Sequence, residues 1–193
     1  MEALFGAKRY RTFDYEMKRI FGSKVIKLSV DAGMGCPNRK NGVGCIFCTE
    51  TGSGEFAGNP ELKGLSVKEQ LEYQRQMLSG KWKSDKYIAY FQSYTNTYAP
   101  VDILKQKYDE ALSAGVLGLA IATRPDCLGD DVLDLLESYE CPLWLELGLQ
   151  TITCHKQINR GYDNDVFTKA AKALYERKIP FSAHIIFGLP WET

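Results

Sequence analysis

Val116-Leu-Gly-Leu-Ala-Ile-Ala-Thr-Arg-Pro-Asp126, then Asp130-Asp-Val-Leu-Asp-Leu-Leu-Glu-Ser-Tyr139, then Leu143-Trp-Leu-Glu-Leu-Gly-Leu-Gln-Thr151 is the stretch that decides the fold. The unbroken apolar run Val116–Thr123 reads as a strand buried on both faces, as parallel strands are. Val132, Leu135, Leu136 and Tyr139 make one stripe of a helix for which Asp130 is the expected cap. Leu143–Leu149 is the next strand. Strand, helix and strand in so short a span make a βαβ unit, which forces parallel pairing and a crossover.

The same alternation extends in both directions. Upstream, Tyr87–Tyr94 reads as a strand, and Pro100 precedes a helix with Leu104, Tyr108, Ala111 and Leu112 on one face, stopped by Gly115. Ser66-Val-Lys-Glu69 is a capping box that opens a helix running to about Ser79. Val25–Val30 is a first strand, after a helical lead-in near Thr12–Phe21 within residues 1–24. Downstream, Asp163 or Asn164 caps a helix bearing Val166, Phe167, Ala170, Ala171 and Leu174, and Phe181–Leu189 is the fifth strand. The expectation is an α/β protein with residues 1–193 as a single domain, since no linker or repeat divides them. An apolar parallel strand is a poor exposed edge. With only Trp191-Glu-Thr193 after Pro190, the sheet is expected to be shortened after its fifth strand or covered there by something else.

Composition excludes several classes. The 193 residues carry 24 basic and 24 acidic side chains, with 45 % hydrophobic and 25 % charged residues, which rules out disordered and fibrous chains. The longest apolar stretches, Val116–Ala122 and Phe181–Trp191, are too short to span a bilayer. Met1–Lys8 lacks the apolar core of a secretory signal. No membrane association and a cytoplasmic location are expected. Residues 1–40 hold nine basic and four acidic side chains, a surplus that fits either phosphate contact or a solvated face.

Six cysteines divide into two groups. Cys127, Cys141 and Cys154 stand singly and read as small buried hydrophobes or inert thiols. Cys36, Cys45 and Cys48 lie within thirteen residues, in a segment with glycines at 33, 35, 42, 44, 52 and 54 that lets backbone wrap closely. Two residues between Cys45 and Cys48 let both thiolates converge on one centre, and Arg39 and Lys40 offset their charge. A zinc site wants four protein ligands, so it would need a distant fourth. Three thiolates on a four-iron cluster would leave one iron open to an exogenous ligand.

Each strand ends in a polar or Gly/Pro-rich segment: Gln92–Thr97, Arg124-Pro-Asp126, Gln150–Thr153 and Gly188-Leu-Pro190. Ligands bind at the carboxyl ends of parallel strands, and the Cys loop follows the first strand onto that same rim.

Cys36…Cys45-Ile-Phe-Cys48 resembles the cluster loop of the radical S-adenosylmethionine (radical SAM) superfamily. Eight residues separate the first two Cys where three are common, but longer spacings occur in the branch that includes the Elongator catalytic subunit. Ala122-Thr-Arg-Pro-Asp126, Leu145-Glu-Leu-Gly-Leu-Gln-Thr151, Ile158-Asn-Arg-Gly161 and Phe187-Gly-Leu-Pro-Trp-Glu-Thr193 resemble that branch's segments in order. Tyr90-Phe-Gln-Ser-Tyr-Thr-Asn-Thr-Tyr98 looks most like the YhcC/YtqA-like group.

The resemblance implies a partial (β/α) barrel and an enzyme that cleaves S-adenosylmethionine reductively to a 5′-deoxyadenosyl radical, which acts on an unknown substrate. It implies Cys36, Cys45 and Cys48 as ligands of a 4Fe–4S cluster, and a reducing partner such as flavodoxin or ferredoxin. Phe47 is expected near adenine, or else as a loop-packing aromatic. Gln92 and Ser93 stand where the superfamily's Gly-Gly-Glu segment would meet the SAM amino group. Glu146 and Gln150, at even spacing on one strand face, are expected to contact SAM. An ion pair of Glu146 with Arg124 is the structural alternative. Arg124 is grouped with these cofactor contacts, and Ile186 and Gly188 match the strand that flanks adenine. Asn159 and Arg160 support the rim, orient substrate or shape a helix entry. His155 and His184 are read as satisfied histidines without an acid–base role. The competing class is a metal- or cluster-bearing module that binds tRNA or other RNA, or serves in its modification, without independent turnover.

Overall fold

The computed structural model of the chain describes residues 5, 8–40, 42–50, 52, 62 and 64–192. Most of Met1–Lys8, and the end of the Cys loop with Gly54, lie outside the described residues.

Five strands, β1 (Ile26–Val30), β2 (Tyr87–Phe91), β3 (Leu119–Thr123), β4 (Leu143–Gln150) and β5 (Phe181–Ile185), pair in parallel in sequence order. The sheet is not closed, and β1 and β5 form its edges. The helices are α1 (Phe13–Phe21), the single turn α2 (Pro37–Lys40), α3 (Val67–Ser79), α4 (Val101–Ser113), α5 (Asp130–Glu137) and α6 (Asn164–Glu176). This is the α/β arrangement of a partial barrel, as the sequence indicated.

Period-two alternation sets the layers. Leu28, Val30, Phe91, Leu119, Ile121, Leu145 and Leu147 are fully buried in the main core, with Leu71 of α3, Leu104 and Tyr108 of α4 and Leu174 of α6. Phe91 and Tyr108 meet edge-to-face with centroids 5.2 Å apart, and the Tyr108 hydroxyl donates to the Asn96 carbonyl at 2.6 Å. Ile88 and Ala120 belong to a second core with Met17 of α1 and Val25, against which Tyr90 and Trp144 pack. Thus α1 covers part of the opposite, concave face.

The helix starts obey local chemistry. Both arms of the Ser66–Glu69 capping box are formed, and Asp163 caps α6 by accepting from the Asp165 and Val166 amides. The cap of α5 is Gly129, not Asp130. Asp130 and Asp131 occupy its first turn instead, where negative charge meets the positive end of the helix dipole.

The last strand is shorter than expected. Ile186 still donates to the Gln150 carbonyl at 2.9 Å, but the β4–β5 register shifts between Gly148 and Gln150. Gly188, at φ +79°, lies beyond the ladder, which ends at Ile185. At this edge Ile185 is 54 % and Phe187 89 % exposed. Of the single cysteines only Cys154 is buried. Cys127 and Cys141 are half-buried, because one sits in a rim turn and the other in the loop entering β4.

Leu145 is fully buried in the main core, so Leu145→Ala is expected to cost about 2–5 kcal/mol, read as a lower urea midpoint with unchanged m-value.

Candidate functional site

The Cys loop leaves the sheet at Val30 and is anchored at once by α3. The buried Gln70 carboxamide accepts from the Asp31 amide and donates to the Asp31 carbonyl, both at 2.8 Å. The Cys36 carbonyl then accepts from the Arg39 and Lys40 amides, and the Cys48 amide donates to the Cys45 carbonyl at 3.1 Å. That last turn brings the Cys45 and Cys48 thiols close enough for each to shift the other's titration.

A second segment, following β4, clamps the loop. The Ile46 amide donates to the Ile158 carbonyl at 3.1 Å, and Asn159 Nδ2 to the Gly44 carbonyl at 2.6 Å. Asn38 Nδ2 donates to the Asn159 carbonyl at 2.7 Å and to Cys45 Sγ at 3.4 Å. The buried Arg160 sends Nη1 to Cys45 Sγ at 3.5 Å and Nη2 to the Gly148 carbonyl at 3.3 Å. Arg39 binds the Cys48 carbonyl at 3.0 Å and also the Thr49 carbonyl. The neighbouring Cys48, opposed by burial and joined by Arg160 and Asn38, holds the Cys45 thiol below its ordinary range. The same proximity, with burial, raises Cys48. Cys127, by contrast, is pushed up to about 12 by burial and the neighbouring Asp126 carboxylate.

Gly148 makes the clamp possible. A Cβ there would overlap Arg160 Nη2 and lie 2.7 Å from Gln150 Nε2. The Gln150 side chain therefore lies over Gly148 on the concave face. It gets there through a left-handed backbone at φ +70° beside the register shift, not by plain strand alternation.

Arg124 binds Asp126 in a fork at 2.8 and 2.7 Å and donates to the Arg160 carbonyl at 2.9 Å. Phe47 and Ile186 pack against one cluster, Cys154, Ile158 and Leu189, and Phe47 also lies 5.9 Å from the Arg160 guanidinium. Gly188 follows Ile186 without entering the ladder.

Gln92 is half-buried at the end of β2, its amide donating to the Val30 carbonyl at 3.4 Å. The Thr95 amide reaches the Gly35 carbonyl of the Cys loop at 3.2 Å. Ser93 Oγ, Thr95 Oγ1 and Asn96 Oδ1 are buried without a hydrogen-bond partner among the described residues. An unsatisfied buried polar atom costs about 1–3 kcal/mol; of these three, Ser93 falls in the segment expected to meet the SAM amino group, and Thr95 and Asn96 follow it.

Glu146 is not paired with Arg124, whose carboxylate partner is Asp126. Glu146 faces the concave side, 6 % exposed, binding the Lys27 ammonium and His184 Nε2, the latter at 3.0 Å. Trp144 Nε1 donates to it at 3.3 Å. Burial works against the charge, but His184, Lys27 and Tyr90 outweigh it and hold the carboxyl down at about 2. The Lys27 ammonium also faces the rings of Tyr90, Phe13 and Trp144 at 4.3, 4.8 and 5.6 Å. Glu146, Lys27, His184, Phe13 and Trp144 line a cavity of about 980 Å³ between α1, β4 and β5. Among the described residues His155 Nδ1 is buried without a partner, so it is not the satisfied histidine expected.

Two gaps between expectation and structure matter. Among the described residues no three His, Cys, Asp or Glu side chains are gathered tightly enough to hold a metal ion. The loop supplies three thiols without preassembling them. Conversely, Asn38 carries no signal in the sequence, and Arg160, expected to support the rim, orient substrate or shape a helix entry, donates to a thiol of the loop. The available signals were a glycine inside an apolar strand and an Asn-Arg-Gly segment after it.

This rim belongs to a known class. The sequence profile of the Radical SAM superfamily matches residues 32–193, and the chain belongs to that superfamily. It is 44 % identical over 195 residues to the uncharacterized protein YtqA of Bacillus subtilis (strain 168), covering 96 % of this chain and 59 % of that protein. It is 38 % identical over 192 residues to protein YhcC of Escherichia coli (strain K12), covering 96 % and 60 %. The chain thus spans about three-fifths of the relatives it matches. Archaeal Elp3 from Methanocaldococcus infernus, lacking residues 1-46, shares the fold with a TM-score of 0.58 at 16 % identity, over 88 % of this chain and 39 % of that one. The YhcC/YtqA resemblance holds in sequence and the Elongator resemblance in fold.

A folded pKa near 2 against an ordinary 4.5 for Glu146 means that its contribution to stability is complete above about pH 4.5 and is lost as pH falls toward 2. Glu146→Gln should flatten the urea midpoint across that interval. Gly148→Ala should displace the Arg160 guanidinium and lower the melting temperature by several degrees.

Proposed function

We propose that this chain is the cofactor-binding core of a radical SAM enzyme, in which Cys36, Cys45 and Cys48 hold a 4Fe–4S cluster. The observation that carries this reading is the three-thiol loop on the carboxyl rim of a parallel sheet, with Asn38 and Arg160 donating to one of its sulfurs. The donor set fits: thiolates are the ligands of such clusters, and adjacent cations favour the thiolate form. When bound, the cluster and SAM would supply one-electron chemistry that generates a substrate radical.

The chain's own residues bind and orient. Gln150 lies beside Gly148 on the rim, within reach of a polar ligand above the concave face. Phe47 and Ile186 offer a shared apolar wall suited to an adenine ring. Gln92 and the orphaned Ser93 oxygen stand at the end of β2 as acceptors for an ammonium group. Arg124 holds the Arg160 carbonyl and so braces the clamp, while Gly188 turns the chain beyond that wall. Glu146 is saturated by Lys27, His184 and Trp144. It supports the concave face, and a direct SAM contact would require exchanging one of those partners.

The reading includes a reducing protein such as a flavodoxin or ferredoxin as partner. RNA is less favoured by what surrounds the N-terminal charges: Arg11 and Arg19 pair with Glu16, Lys18 with Asp14, and Lys27 with Glu146. No described helix is long and apolar enough to cross a membrane.

Anaerobically reconstituted and dithionite-reduced protein should give a 4Fe–4S electron paramagnetic resonance signal that shifts on adding SAM. Cys36→Ala, Cys45→Ala and Cys48→Ala should each lose most of the iron. Stoichiometric zinc with no iron signal would overturn the proposal.

A further inference from the structure

We infer that Asn38 is a positioning residue that sets the reduction potential of the centre held at Cys45, an inference that rests on the function proposed above. Its carboxamide is fixed in one orientation. Nδ2 faces a backbone carbonyl, that of Asn159 at 2.7 Å, which only the amide nitrogen can satisfy, so the same nitrogen reaches Cys45 Sγ at 3.4 Å. On the other side Oδ1 lies 2.5 Å from where a Cβ on Gly161 would stand. Only glycine, here at φ +81°, leaves room for that oxygen.

The arrangement is directional. Among the described residues, both side-chain N–H groups that reach a thiol of the Cys loop, from Asn38 and Arg160, reach Cys45. Arg39 binds the carbonyls of residues 48 and 49, so at Cys48 its hydrogen bond goes to the main chain and not to the sulfur. An N–H donor on a ligating sulfur draws electron density from the cluster and stabilises its reduced, more negative state, which raises the potential. Arg160 supplies positive charge as well as a hydrogen bond. Asn38 supplies a neutral dipole alone, so its removal alters the sulfur's hydrogen bonding without changing the net charge at the site. Asn38 also bonds Asn159 across the clamp, which couples the position of the donor to the segment after β4.

The test is a redox titration of the reconstituted cluster, followed by electron paramagnetic resonance, in the wild-type chain, Asn38→Ser and Asn38→Leu, with iron and sulfide counted in each. Both variants should load as wild type does. The ratio of reduced to oxidised cluster at a fixed applied potential should fall about tenfold, equivalent to a shift of ~59 mV to more negative potential for one electron. Unchanged potentials in both variants would overturn the inference. Loss of cluster from both variants, with wild-type loading intact, would overturn it too, by making Asn38 a structural part of the loop. A wild-type chain that takes up no cluster would instead fail the functional proposal itself.

Discussion

A parallel sheet has to bring every strand's carboxyl end to the same rim, and nearly everything functional in this molecule follows from that constraint. Because the strands are ordered β1 to β5 in sequence, the loop after β1 and the turn after β4 stand three strands apart on one edge surface. They meet only because the rim curves and because residues 154–161 reach back over it. The bonds between Ile46 and Ile158, Asn159 and Gly44, and Asn38 and Asn159 convert two separate loops into a single pocket wall. Their geometry depends on the helices only indirectly, through the strand positions that the core fixes.

The concave face solves a different problem. A carboxylate within a sheet has to be compensated or it becomes neutral. Glu146 is compensated by groups from four strands, Lys27 on β1, Tyr90 on β2, Trp144 on its own β4 and His184 on β5. Such a cluster ties the strands to one relative placement, its attraction exceeding the desolvation that burial imposes. Lys27, lying among aromatic rings from α1, β2 and β4, extends the same network to the covering helix.

The fold was legible because its signals are local and repeated. The capping box at Ser66, the stripe Leu104–Tyr108–Ala111 and the apolar runs around Ile121 and Leu145 each state their own structure. The end of β5 was not legible, because Ile186 and Phe187 look like strand residues and only the register shift at Gly148 shows where pairing stops. In the site, the three cysteines announced themselves by spacing, whereas the partner of Glu146 did not. Lys27 is 119 positions away in sequence, and no periodicity links a residue on the first strand to one on the fourth. Asn38 was hidden for the same reason, since its role exists only once residues 159–161 are folded beside it.

The tight fit of the Asn38 carboxamide against Gly161 ties two distant positions into one unit of inheritance. A lineage that acquires a side chain at 161 has to give up the amide at 38, but losing the amide does not by itself release the glycine, which the left-handed backbone still favours. The pair 148 and 160 is bound in the same way, glycine making room for guanidinium. A side chain at 161 or at 148 is therefore expected only together with a change at its partner, 38 or 160.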